Sequence, residues 1–146
     1  MGLVMKKSIY FFIAFALFVS CTDRGERDEF NYNVSINNST TVSLVIEGYA
    51  PNNDLIINNL IINSNATGAD CNYQAELFSG YICGVDSLIF KFPNGKGYIC
   101  DLRQSGNNLC FPNKFIFSEE GFTELTNKNY QFVITEEDYN NAYDLP

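Results

Sequence analysis

The residues with the most chemical potential in this 146-residue chain are two carboxylate clusters, Glu119-Glu120 and Glu136-Glu137-Asp138, and a set of cysteines. A glycosidase needs two carboxylates facing each other across a cleft, one of them with a raised pKa. Neighbours along a chain do not supply that arrangement, so the clusters read as a solvated turn and a helix cap. The chain has no histidine. That removes the most frequent general base, the Ser-His and Cys-His dyads and every imidazole zinc site. Asn52-Asn53-Asp54 and Asp70 offer oxygen ligands for calcium, yet no EF-hand spacing surrounds them. No glycine-rich phosphate loop and no G-x-S-x-G elbow occurs. The expectation is a protein that is not an enzyme, with no catalytic residue, no metal and no cofactor.

The N-terminus carries an address. Lys6 and Lys7 precede an apolar run of eleven residues, Ile9 to Val19, and Ser20-Cys21 follows. At about 1.5 Å per residue the run covers roughly 16 Å, against a hydrocarbon core of about 30 Å. It is a signal-peptide apolar segment by length, too short for a transmembrane span. A small residue before a cysteine at this place resembles the lipobox of bacterial lipoproteins, with Phe18 where that pattern often has Leu. The looser form resembles lipoboxes of the Bacteroidota. The resemblance implies a signal peptide over residues 1–20, lipidation of Cys21 and an outer-membrane lipoprotein facing the periplasm or the cell surface. The competing reading is an ordinary secretory signal with Cys21 as an odd thiol. One acyl chain binds a membrane reversibly, whereas several hold effectively for good.

Removing residues 1–20 takes away Lys6 and Lys7 and no acid, so the net charge moves from −8 to about −10. Such a surface repels anionic headgroups and has no field with which to grip nucleic acid. The expected partners are the membrane, through the lipid on Cys21, and an envelope protein or a glycan. Residues 21–29 form the anchor and a tether, because Thr22 to Glu29 has nothing apolar to bury.

The other four cysteines, Cys71, Cys83, Cys100 and Cys110, are an even set in an exported chain, so disulfides are expected. They lack the close C-x-x-C pairs of zinc ribbons. Three connectivities exist. Cys71–Cys83 with Cys100–Cys110 is favoured, because each closes a short loop and neither crosses a sheet. Cys100 lies on the apolar face of its segment with Tyr98 and Leu102, so it is expected to point inward.

These residues must be positioned by strands. Phe30 to Asn37 alternates apolar and polar without a fault, the period-two sign of a half-buried strand. Val42–Glu47, Leu55–Asn63, Tyr73–Phe78, Val85–Phe92, Lys96–Arg103, Phe115–Phe117 and Tyr130–Ile134 bring the count to about eight. Leu55–Asn63 reads as one strand with a break, or two meeting at Asn58-Asn59. Asn94-Gly95 is a hairpin signal. Thr135, with an acid three residues on, predicts a capped short helix reaching about Ala142. Thirteen Phe and nine Tyr, at alternate strand positions, read mainly as core, although a tyrosine face binds glycan or protein equally well in chemical terms.

Many short strands with polar turns predict an all-β domain over residues 30–146, an immunoglobulin-like antiparallel sandwich with a short C-terminal helix, or alternatively a small barrel. Asp86–Lys96 resembles a strand-turn segment of small uncharacterised Bacteroidota lipoproteins, and Phe132–Ala142 resembles their C-terminal ending. The likeness implies a β-rich lipoprotein and brings no activity with it. The functional expectation is a lipid-anchored binding or structural module. The alternative is an acidic inhibitor of a cationic hydrolase such as lysozyme, docking on a basic active site.

Overall fold

A computed structural model describes residues 28–103 and 109–146. Residues 1–20, Cys21 and most of the tether lie outside the described residues. The elements are β1 (Phe30–Asn38), β2 (Leu44–Tyr49), β3 (Leu55–Ile62), β4 (Ala66–Ala75), β5 (Ser87–Lys91), β6 (Lys96–Asp101), β7 (Phe122–Thr126), β8 (Asn129–Ile134), α1 (Glu136–Asn140) and β9 (Tyr143–Asp144). They form two sheets, ordered β4-β1-β8-β7 and β3-β2-β5-β6-β9. The all-β sandwich forms as two open sheets, each with two edge strands, and no barrel closes. All neighbours pair antiparallel except β1 and β8, which run parallel. The long excursion between them supplies the crossover that parallel pairing demands.

Alternation decides which side chains meet. Along β1, Val34 and Ile36 turn inward while Asn31 and Asn33 face solvent. Across the sandwich lie Leu44, Ile46, Leu88, Phe90 and Tyr98 of the other sheet, and Phe132 sits beside Ile36 on the neighbouring strand β8; all are fully buried. Each such side chain contributes about 1.5–3 kcal/mol on burial. Phe111, Ile116 and Phe117, from the stretch between β6 and β7, fill the same core.

Several boundaries differ from those expected. Phe115–Phe117 forms turns rather than a strand. Ile116 uses its carbonyl to accept from the Tyr81 amide at 2.8 Å, and its side chain plugs the core. Gly80, at φ 83°, lets the chain pass this plug, because a Cβ there would lie 2.6 Å from the Ser118 nitrogen. Instead of Tyr73–Phe78, the strand is β4, which begins seven residues earlier at Ala66. Phe78 turns back and stacks on Tyr130, with ring centroids 3.7 Å apart. Strand β3 is continuous, but Asn59 sits at φ 48° and the pairing with β2 shifts register twice. The break expected at Asn58-Asn59 is therefore a bulge. The Asn94-Gly95 hairpin forms, with Gly95 at φ 81°. Helix α1 starts after Thr135 with both halves of its capping box made, and ends at Asn140.

Candidate functional site

The carboxylate clusters serve the scaffold. Glu119 and Glu120 lie exposed in a single 3-10 turn. Glu136 accepts from the Thr41 amide at 2.9 Å, tying α1 to the β1–β2 turn. Asp138 accepts from the Thr135 amide at 2.7 Å and pairs with Lys114 at 2.6 Å. The Lys114 ammonium also donates to the Val133 carbonyl and lies about 5 Å from the Phe111 and Phe132 rings. Asn52 and Asp54 bond each other within one turn, at 2.6 Å. Arg103 joins that turn to Asp86 and Asp101 through its contacts to the Pro51 carbonyl and the Asn53 side chain. Among the described residues no group of three His, Cys, Asp or Glu side chains could hold a metal.

The four cysteines pair as Cys71–Cys83 and Cys100–Cys110, with Cα separations of 6.2 and 4.7 Å. Tyr98 and Cys100 are both fully buried, as their shared face requires. Leu102 does not join them. It falls past the end of β6, in a turn whose amide donates to the Asp86 carbonyl at 2.7 Å, and is 52% exposed. Period-two alternation holds only within β6, which ends at Asp101.

The tyrosines mostly build core. Tyr32, Tyr73, Phe78, Phe122 and Tyr130 form one ring cluster between the sheets. Burial pushes the Tyr73 and Tyr130 hydroxyls upward, and pushes those of Tyr81 and Tyr98 to about 12.

A small open pocket of about 300 Å3 lies at Phe111, Pro112, Lys114 and Glu120, and the two outer faces of the sandwich are also open to partners. On the β3 sheet the outer face is apolar, with Leu55 44% and Ile61 63% exposed on the edge strand and Val45, Ile89 and Ile99 half-buried beside them. An ion pair crosses it, Lys91 to Glu47 at 2.6 Å, with Tyr49 donating to the same carboxylate. The Lys91 hydrogen bond holds the Glu47 carboxyl below its ordinary value, and the Glu47 contact raises the Tyr49 hydroxyl.

The outer face of the β1 sheet is different. It carries a shallow groove of about 340 Å3 lined by nine residues, of which Val34, Cys71 and Tyr130 sit at inward strand positions and Asn33, Ser35, Asp70, Asn72, Leu125 and Asn129 at outward ones. Register explains the lining. Asn33 sits opposite Asn72 on β4 and opposite Asn129 on β8, and Asn129 sits opposite Thr126 on β7. One row therefore crosses all four strands, with neighbours about 4.7–4.9 Å apart in the strand-to-strand direction. Within it Asn33 donates to Asn129 at 3.0 Å, and Asn129 donates to Thr126 at 2.8 Å.

The groove's wall is made by a bulge. Between Val34 and Ile36 the pairing of β1 with β4 slips by one residue, and Ala69 takes φ 53° there. Left-handed backbone is costly for a residue with a Cβ, about 1–2 kcal/mol, and persists only where the surroundings over-determine it. The buried Tyr81 hydroxyl donates to the Ala69 carbonyl at 3.0 Å, and Cys71, two residues on, is tied to Cys83. The extra residue thrusts Asp70 outward beside Ser35.

No family model, curated protein or solved structure matches the chain. No helix among the described residues is long and apolar enough to cross a membrane. The groove residues other than Asp70 escaped the sequence reading. Their one visible signal was the outward set of the first strand, Asn31, Asn33, Ser35 and Asn37, which is wholly uncharged in a strongly acidic chain.

Proposed function

We propose that this chain is a lipoprotein of the bacterial cell envelope, anchored at the outer membrane through lipid on Cys21, and that its sandwich is a binding module rather than an enzyme. The observation that carries the reading is the fate of the five cysteines. Four pair with one another, which suits an oxidising compartment. The fifth, Cys21, directly follows an apolar signal segment and a small residue, where a lipobox places its acylated thiol. The two outer faces suit binding: one apolar and one a groove of amides, on strands held rigid by the core. Radiolabelled palmitate is expected to enter the wild-type chain and to leave a Cys21→Ala variant unlabelled. Equal labelling of both, or of neither, overturns the anchor.

The net charge of about −10 in the mature chain favours one second reading, an inhibitor that docks on a cationic hydrolase. Electrostatic steering makes such binding fast and salt-sensitive. Inhibition of a lysozyme that weakens as salt rises would support it, and no inhibition at low salt would remove it.

A further inference from the structure

We propose that the groove on the outer face of the β1 sheet binds an uncharged oligosaccharide. This rests on the reading of the sandwich as a binding module and names its ligand class. Sugars present hydroxyls that both donate and accept, on a ring with apolar C–H patches. The outward positions of the groove answer with three amides, a hydroxyl and one carboxylate, and with Leu125, 57% exposed, as the apolar side chain among them.

Valence points the same way. Asn33 and Asn129 lock each other in place. Beside them Ser35, Asp70 and Asn72 make no side-chain hydrogen bond among the described residues, and the Asn33 side-chain Oδ1 accepts none there. Donors and acceptors are thus held in a fixed row while part of their capacity stays open to a ligand.

Charge narrows the class. Asp70 is the one ionisable side chain of the outward lining, and no Lys or Arg lines the groove. Phosphates, sulfates and uronic acids would meet a carboxylate and no counter-charge. A bare divalent cation would find a single carboxylate, where calcium sites gather several anionic oxygens. A neutral glycan lies across amides in register on neighbouring strands without either penalty. The volume, about 340 Å3, falls at the small end of ligand sites, near 300–1,000 Å3, and suits one or two sugar rings.

The test is affinity electrophoresis of the full lipidated chain, in detergent, through gels containing neutral glucans, mannans or galactans, with polygalacturonate as the anionic control. At least one neutral polymer is expected to retard the wild type, and polygalacturonate is not. Asn72→Ala and Asp70→Ala are each expected to weaken retardation about tenfold, the effect of losing roughly one hydrogen bond to a polar ligand. Unchanged thermal unfolding of both variants excludes collapse of the strand. Leu55→Ala, on the opposite sheet, should retain full binding. Retardation by no neutral polymer, equal retardation by polygalacturonate, or full binding by both groove variants overturns the proposal. Calorimetric binding of calcium alone overturns it as well. A Cys21→Ala chain that still binds the neutral polymer upholds it even if the anchor fails.

Discussion

Asn38 is the most demanding polar residue of the core, and an isosteric change there tests the packing directly. It is fully buried at the end of β1. Its amide nitrogen donates to the carbonyls of Val42, Ile62 and Asn63 at 2.8, 3.0 and 3.1 Å. Its oxygen accepts from the Thr40 amide and hydroxyl, at 3.2 and 2.8 Å. Asn38→Asp keeps the shape and the accepting oxygen but turns the donor into a second anionic oxygen facing three carbonyls. Leaving a buried charge without a partner costs about 3–5 kcal/mol, a large part of the 5–15 kcal/mol typical of a domain. Ionisation is the unfavourable event, so the folded-state pKa of the new carboxyl lies above its unfolded value of about 3.9. The variant is therefore nearest to wild type below about pH 4, and falls away as pH rises through the folded value. Urea unfolding of both chains at pH 4 and pH 7 measures this. A variant within about 1 kcal/mol of wild type at pH 7, or one whose deficit is the same at both pH values, would refute the assignment of Asn38 as the donor that joins the two sheets.

Two further outcomes follow from the core. Burial holds the Tyr81 and Tyr98 hydroxyls at about 12, above the unfolded value near 10; the stability this supplies is complete below pH 10 and lost as pH rises towards 12. Alkaline titration should show these two tyrosinates appearing only towards pH 12 or with unfolding, and ordinary ionisation near pH 10 of all eight tyrosines of residues 21–146 in the folded chain would contradict it. Replacing Cys100 and Cys110 with Ser together should cost about 3 kcal/mol by loop entropy, read as a lower urea midpoint. An unchanged midpoint would mean that the β6 end needs no clip.

Much of the fold was legible because local chemistry and tertiary demand agree. The flawless alternation of Phe30–Asn37 names β1, Asn94-Gly95 names the β5–β6 turn, and Thr135 with Asp138 names the start of α1. The favoured disulfide pairing follows from short loops. What failed to show needed information that no window contains. Ala66–Asn72 has few large apolar residues, because an edge strand with a bulge buries little, so β4 was read too late in the chain. Phe115–Phe117 has strand composition, yet no sheet edge receives it, and its rings fill the core from turns. The groove was hidden for the same reason: Asn33 and Asn129 stand 96 residues apart and meet only through the parallel register of two strands.

That pairing has a consequence for a chain made from its N-terminus onward. Strand β1 is made well before β8, and its place beside β8 stays vacant until residues 129–134 exist. Nothing nearer in the sequence can substitute, since β4 occupies the other side. The sheet is completed only once residues 129–134 have been made, so its folding waits on a segment about 90 residues after β1. A chain cut short before residue 129 would leave β1 with one bare flank, ready to recruit whatever strand lies at hand.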